Sequence, residues 1–340
     1  MNLNNMSVAA ALLALITALP AEATVKVVTT LQDYASITRE IGKDKVDAQA
    51  IVLGNADPHH IKPKPSYALM LHGADLFIST GLDLELWVPV LVNKSGNRKI
   101  ADGAPGCVTV AQGIELLQKP NTFDRSEGGV HVYGNPHIQT SPLNAKIIAR
   151  NITTGLCKVD SADCEFYRKN LADFNDRISR KLYGSKLVDL LGAETLDPLA
   201  RKGRLVSFLR EHELIDQLGG WLADGMSFRD RKIICYHKNW AYFSTIFGLR
   251  IADYVEAKPG IPPTARHVAG LISKIKDEDI KVLLAANYFE KKKPQMIADR
   301  TGIVPLIVAT SVGGQPGIDS YFDLIDSWVS GLKTAFETAK

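Results

Sequence analysis

The chain has 340 residues, of which 46% are hydrophobic and 23% are charged, and its formal net charge at pH 7 is +3. This composition excludes an intrinsically disordered protein. The small net charge, with no block of Lys and Arg, argues against nucleic acid as a partner. The length is sufficient for two ordinary domains.

The first residues have the layout of a secretory signal peptide, although no Lys or Arg precedes the apolar run. Residues 8–16 are apolar, and the small-x-small triplet Ala21-Glu22-Ala23 follows Pro20. The apolar run is too short to cross a bilayer with a hydrocarbon core of about 30 Å. The residue directly after the triplet is Thr24 rather than a cysteine, so no lipid anchor is expected. We therefore predict a signal peptide at residues 1–23 and a soluble periplasmic protein.

Short apolar runs at residues 25–30, 48–53, 76–80 and 108–110 are typical of buried strands, and helical patterns lie between them. Strands that alternate with helices predict a parallel sheet with both faces covered. We assign residues 24–156 to an N-terminal lobe of this kind.

A long helix is predicted to connect this lobe to the next. Residues 163–191 contain no proline, and the apolar residues from Tyr167 to Leu182 fall on one helix face. No Gly/Ser-rich linker interrupts the segment, so the connection is expected to be stiff. We assign residues 157–191 to this connecting helix.

The alternation of strands and helices repeats in residues 192–340, which we assign to a C-terminal lobe. Strands are predicted at 204–208, 232–236, 281–285 and 304–309, and helices at 267–275, 294–299 and 321–329. The predicted fold class is therefore α/β, with two lobes of parallel sheets flanked by helices and joined by one long rigid helix.

Four cysteines are present, namely Cys107, Cys157, Cys164 and Cys235. Cys157 and Cys164 are close in sequence, which predicts a disulfide bond in an oxidising compartment. A metal-binding pair is the competing interpretation, but C-x6-C is not a zinc spacing. Cys107 and Cys235 are expected to be buried thiols.

Three of the eight histidines lie in similar settings near predicted strand ends. His59 and His137 each follow a proline, and His237 follows Tyr236. Ligands of open α/β sheets bind outside the carboxyl ends of the strands. Neutral imidazole is a donor suited to Zn²⁺, Cu²⁺, Ni²⁺ or Fe²⁺. A lone histidine is usually an ordinary core or surface residue, so it is the shared setting that favours a metal site.

Several ordered motifs extend along nearly the whole chain: Asp57-Pro58-His59, Pro63-Lys64-Pro65-Ser66, Ala74-Asp75-Leu76-Phe77-Ile78, Gly134-Asn135-Pro136-His137, Tyr236-His237-Lys238-Asn239-Trp240, Lys258-Pro259-Gly260-Ile261-Pro262-Pro263 and Ser311-Val312-Gly313-Gly314. With these motifs the sequence resembles the metal-binding solute-binding proteins of ABC transporters, the zinc/manganese (cluster A-I) family. The resemblance implies a divalent metal ion in the cleft between two lobes, delivered to a membrane permease. It implies His59 and His137 as ligands from the first lobe and His237 from the second. We expect a monomer without enzymatic activity.

The fourth ligand is where the sequence departs from this family. The family commonly supplies an Asp or Glu from a late loop, and residues 308–314 contain no acid. Asp319 or a water is therefore the candidate for the fourth position. Three histidines without a carboxylate favour Zn²⁺, and make Mn²⁺, which prefers oxygen donors, the weaker alternative.

The other histidines have more ordinary interpretations. His60 is expected in the outer shell or in solvent. His131 is a candidate to line the mouth of the cleft or to assist metal loading, with a structural role as the favoured interpretation. His72, His212 and His267 are expected at the surface. Glu256 is a candidate to orient a histidine, with a surface ion pair as the stronger alternative.

Two other functions are alternatives to metal capture, a zinc hydrolase and a binder of an organic ligand or metal chelate. A zinc hydrolase would also use three histidines and a water, but the chain has no H-E-x-x-H motif, and Asp57 is more simply a turn residue before proline. A binder of an organic ligand or metal chelate is disfavoured because only 7% of the residues are aromatic.

Overall fold

The computed structural model describes residues 24–120, 131–256 and 260–339. The predicted signal peptide and the Lys258-Pro259 pair lie outside the described residues. Within that part of the chain, no helix is both long enough and apolar enough to cross a membrane.

A four-stranded parallel sheet with the strand order β2-β1-β3-β4 forms the first lobe, together with the helices packed on it. Its strands are β1 (Val25–Thr29), β2 (Val46–Ala50), β3 (Leu76–Ser79) and β4 (Cys107–Thr109), and its helices are α1 (Gln32–Gly42), α2 (Pro65–His72), α3 (Val88–Ser95) and α4 (Pro142–Val159). All four predicted strands are confirmed, with ends that agree to within three residues. They were recognisable because strands of a parallel sheet that is covered on both faces are rich in apolar residues.

A run of helices follows the first lobe: α5 (Cys164–Tyr183), α6 (Ser185–Leu191), α7 (Ala193–Arg201) and α8 (Leu205–Glu211). The predicted long helix is α5, but the prediction that it continues to Leu191 was wrong. Gly184 has φ +83°, and a Cβ there would lie 2.6 Å from Gly219 Cα. This conformation favours glycine and breaks the helix before α6.

The predicted strand at 204–208 was also wrong, because these residues lie at and within the start of α8. A short apolar run does not distinguish a strand from a buried helix. The face formed by Leu205, Val206 and Leu209 is the buried one, and its spacing is helical.

The second lobe contains another four-stranded parallel sheet, with the order β6-β5-β7-β8. Its strands are β5 (Lys232–Cys235), β6 (Arg250–Tyr254), β7 (Val282–Ala286) and β8 (Val304–Val308), and its helices are α9 (Gly220–Gly225), α10 (Ala241–Phe247), α11 (Ala265–Asp277), α12 (Lys292–Thr301) and α13 (Tyr321–Thr338). The other predicted strands and helices of this lobe are confirmed. Strand β6 was missed because it is a partly exposed edge strand that contains Arg250 and Asp253.

The predicted disulfide joins Cys157, in the last turn of α4, to Cys164, at the start of α5. It ties together the two helices that lead out of the first lobe. Cys235 is a buried free thiol, as predicted, whereas the free thiol of Cys107 is only partly buried.

The two lobes pack directly against each other. Residues of both sheets, of α5 and of α13 belong to one continuous hydrophobic core. Hydrogen bonds also cross the boundary: the Asp33 carboxylate accepts from Ser311 Oγ at 2.8 Å and Val312 N at 3.0 Å, and Tyr321 Oη donates to Gln139 O at 2.7 Å. Side chains from the two lobes are therefore held at a defined separation.

Gly54 tests how tightly the lobes are packed. A Cβ on Gly54 would press against Val312 O and lie 2.5 Å from Gly314 N, both in the second lobe. We predict that Gly54→Ala lowers the free energy of unfolding by about 1–3 kcal/mol, as overpacking does. Denaturant titration measures this change.

The matched control is Gly73→Ala, where the nearest atom to a new Cβ is Met70 O at 3.9 Å. This variant should keep or slightly raise the stability, because alanine restricts the unfolded chain. Equal stability of the Gly54→Ala variant and the wild type would contradict the tight contact between lobes.

Candidate metal centre

The three histidines predicted from the sequence lie together, each beyond the carboxyl end of a strand. His59 is in a short 3₁₀ turn, Pro58–His60, after β2. His137 directly precedes the 3₁₀ turn Ile138–Thr140 in the connection from β4 to α4. His237 follows β5 in the second lobe. A fourth histidine, His131, joins them, and ligand atoms of the four residues all lie within 4.8 Å of one another.

The spacing of the four rings suits a small tetrahedral ion. The ring centroids of His59, His137 and His237 are separated by 5.2–5.8 Å. His59 Nε2 and His131 Nε2 are 3.3 Å apart. In a tetrahedral site with Zn–N bonds of 2.0–2.1 Å, neighbouring nitrogens are about 3.3–3.4 Å apart. The His59–His131 pair therefore already has the length of one tetrahedral edge.

One local arrangement orients both proline-linked histidines. Asp57 Oδ1 accepts hydrogen bonds from His59 N at 3.0 Å and His59 Nδ1 at 2.7 Å. Asn135 Oδ1 accepts from His137 N and His137 Nδ1, both at 2.9 Å. Because the side-chain oxygen is held by a backbone N–H, the ring nitrogen that faces it must carry its proton. The Asx-Pro-His sequence therefore leaves Nε2 of each ring with a free lone pair.

His237 reaches the same state through a backbone carbonyl. Its Nδ1 donates to Glu256 O at 2.9 Å. Among the residues that the structure describes, the buried Nε2 atoms of His137 and His237 have no hydrogen-bond partner. A buried acceptor without a partner is uncommon and calls for an explanation. An ion bound at Nε2, with the other ring nitrogen donating to an oxygen, is the usual arrangement of metal-bound histidines.

Burial keeps these rings neutral. Loss of solvation lowers the pKa of His131 to about 3 and that of His237 to about 4, and the neighbouring His59 ring acts in the same direction. The same cause holds the pKa of His137 well below its usual value. Three of the four donors are therefore neutral at pH 7, which is the form that binds a metal ion.

A buried tryptophan of the first lobe supports the His59 turn, and a buried carboxyl group lies near this tryptophan in sequence. Trp87 Nε1 donates to Pro58 O at 2.8 Å. Glu85, two residues before Trp87, is buried, and its Oε1 accepts from Thr30 Oγ1 at 2.7 Å and Thr80 Oγ1 at 2.6 Å. Glu85 is not among the residues whose ligand atoms form the histidine cluster.

The candidate carboxylate Asp319 is not part of the cluster. Its side chain is exposed, and its backbone N donates to Asp323 Oδ2. The cluster instead includes His131, for which a structural role was the favoured expectation. No local motif marks this residue, since neither proline nor an Asx residue precedes it closely.

The remaining histidines lie outside the cluster. His60 is exposed and lies beside Gly260, with its ring centroid 6.1 Å from that of His59. His72 Nδ1 donates to Ser95 O, and His267 Nε2 contacts Tyr254 O. Glu256 contacts the site through its backbone carbonyl, while its carboxylate accepts from Gly260 N.

Comparison with known proteins identifies relatives over most of the chain. Residues 27–181 and 211–335 match the family described as zinc-uptake complex component A, periplasmic (ZnuA). The high-affinity zinc uptake system protein ZnuA of Bacillus subtilis is 25% identical over 277 residues, covering 80% of this chain and 73% of that protein. The manganese ABC transporter substrate-binding lipoprotein PsaA of Streptococcus mitis is 24% identical over 309 residues, covering 88% and 85%.

A solved structure shares the fold. The crystal structure of a ZnuA deletion mutant with zinc bound aligns with a TM-score of 0.68 at 21% identity, covering 92% of this chain and 98% of that one. The family match covers well over half of the sequence. The chain belongs to the ZnuA family and is the non-enzymatic, extracytoplasmic metal-binding subunit of a zinc or manganese ABC uptake system.

Proposed function

We propose that this protein captures one Zn²⁺ ion in the periplasm with His59, His131, His137 and His237 and delivers it to the permease of the importer. The observation that carries the proposal is that the buried Nε2 atoms of His137 and His237 have no hydrogen-bond partner in the described part of the chain. They come from different lobes, and each ring has its other nitrogen held by an oxygen acceptor.

The chemistry of the donors favours zinc over manganese. The four candidate ligands are all imidazole nitrogens. Two carboxylates nearby have other partners: Oδ1 of the partly buried Asp57 accepts from His59, and Oε1 of the buried Glu85 accepts from Thr30 and Thr80. Zn²⁺ accepts an all-nitrogen tetrahedral sphere, whereas Mn²⁺ favours carboxylate, carbonyl and water oxygens.

A coordination sphere of four imidazoles is also typical of a site that binds an ion rather than of one that catalyses a reaction. Catalytic zinc sites keep one coordination position open for water or substrate, whereas closed four-coordinate sites hold the ion without reacting. His131 fills the position that a hydrolase would leave for water. The arrangement therefore supports capture and release.

The hydrogen bond between His59 and His131 indicates how capture proceeds. When Nδ1 of a neutral His59 ring donates to Asp57, its Nε2 has only a lone pair, so His131 Nε2 must be the donor. Zn²⁺ replaces this hydrogen bond with two metal–nitrogen bonds, and the His131 ring moves its proton to Nδ1. The tight packing between lobes makes this a local rearrangement.

We predict one tightly bound divalent ion per chain, with Zn²⁺ held more tightly than Mn²⁺, because the donors are all nitrogen. Competition titration against a chelator measures stoichiometry and both affinities. A stoichiometry near zero ions per chain would contradict the proposed metal site. Tighter binding of Mn²⁺ at equal concentration would reverse the assignment of the metal.

We predict that alanine at any of the four histidines lowers the affinity for Zn²⁺ by at least about 100-fold. This exceeds the 10–100-fold typical of changes to outer-shell partners, because each variant loses a metal–nitrogen bond. The same variants should lose most of the rise in unfolding temperature that Zn²⁺ produces by binding the folded state.

The controls are His60→Ala, His72→Ala and His267→Ala, whose rings lie outside the cluster. They should keep both the affinity and the thermal shift. Full retention of the shift in His237→Ala, or its loss in His267→Ala, would place the site elsewhere.

We predict that Zn²⁺ binding at pH 5.5 releases at most about one proton. Four imidazoles with ordinary pKa values of about 6.5 would release between about three and four. Burial lowers the pKa of His131 to about 3, that of His237 to about 4 and that of His137 strongly, so these rings have no proton to lose at this pH. Calorimetry in two buffers of different ionisation enthalpy counts the protons. A release of three or more would show that the rings are solvated and charged.

A further inference from the structure

Asn135 is buried where the lobes meet, and both ends of its side chain are engaged. Oδ1 accepts from the backbone and ring of His137. Nδ2 donates to Lys238 O in the second lobe at 2.7 Å and to Gln118 Oε1 at 2.9 Å. The side chain is therefore a direct connection between a candidate ligand of the first lobe and the backbone of the second.

The orientation of this amide is determined by its backbone partners. The N–H of His137 can only donate and the C=O of Lys238 can only accept. Exchanging Oδ1 and Nδ2 would therefore break a hydrogen bond at each end. The orientation of an asparagine amide usually has to be inferred from its hydrogen bonds, and here those hydrogen bonds allow only one orientation.

Lys238 is the residue directly after His237. One rigid planar amide thus separates the His137 imidazole from the backbone that carries His237. We infer that Asn135 is a positioning residue that sets the distance between His137 and His237, and so the geometry offered to the ion. This inference rests on the proposed function.

Asp57 shows why an amide is needed at position 135. It orients His59 with the same pair of hydrogen bonds from the backbone and the ring. In the described part of the chain its side chain makes no hydrogen bond to the second lobe, and a carboxylate suffices there. A carboxylate at position 135 would still accept from His137, but it would face the acceptors Lys238 O and Gln118 Oε1 with no proton to donate.

Two variants separate the two ends of the amide. Asn135→Ala removes both connections, and we expect the affinity for Zn²⁺ to fall about 10–100-fold, as for other outer-shell partners of metal ligands. Asn135→Asp keeps the acceptor for His137 and removes only the connection to the second lobe. Its affinity should also fall, although the added negative charge acts in the opposite direction.

The visible absorption of bound Co²⁺ reports coordination geometry independently of stability. We expect both Asn135 variants to change its band position or intensity relative to wild type. The matched control is Asn97→Ala. The Asn97 amide also donates to backbone carbonyls, Leu71 O and Ala74 O, but neither of these partners belongs to the histidine cluster. Asn97→Ala should lower stability while leaving the Co²⁺ spectrum and the Zn²⁺ affinity within about twofold of wild type.

A wild-type spectrum and affinity in Asn135→Ala would overturn the inference. A wild-type spectrum in Asn135→Asp would show that the contact with His137 alone fixes the geometry of the site. The connection to Lys238 would then have no effect on that geometry, and the inference would be wrong. If the wild-type chain bound neither Zn²⁺ nor Co²⁺, the result would contradict the proposed function itself, and therefore also the inference that rests on it.

Discussion

The hydrogen bond from Nδ1 of a ligand histidine to a fixed oxygen is the interaction on which the candidate site depends. It decides which nitrogen keeps its lone pair and where the ring points. Asp57, Asn135 and the carbonyl of Glu256 provide it for His59, His137 and His237. With the Nδ1 protons committed, Nε2 of each buried ring can be satisfied only by an ion or another donor.

The packing of the lobes determines how such a site can work. A single hydrophobic core and the contacts of Asp33 and Tyr321 hold the two halves together independently of any ion. The free-energy cost of bringing the donors together is therefore incurred mostly on folding rather than on metal binding. Such preorganisation favours tight binding. Release to a transporter must then come from local movement near the ligands or from force applied by the partner, since a wide opening would expose the shared core.

The sequence predicted the features that depend on local patterns. Parallel strands were visible as apolar runs, and His59, His137 and His237 were visible through their loops and the family motifs. Gly184 ended α5 through a tertiary contact with Gly219, which no local pattern reports. Strand β6 was hidden because its exposed edge carries charge. No motif in the sequence singles out His131, so its place in the cluster became visible only in the three-dimensional structure.

X-ray absorption spectroscopy of the zinc-loaded protein tests the central claim most directly, because it counts the donors around the ion and identifies imidazole rings by outer-shell scattering. The account predicts four nitrogen donors at about 2.0–2.1 Å, all from imidazole. A first shell with only three imidazoles and an oxygen donor, or with five or six ligands, would contradict it.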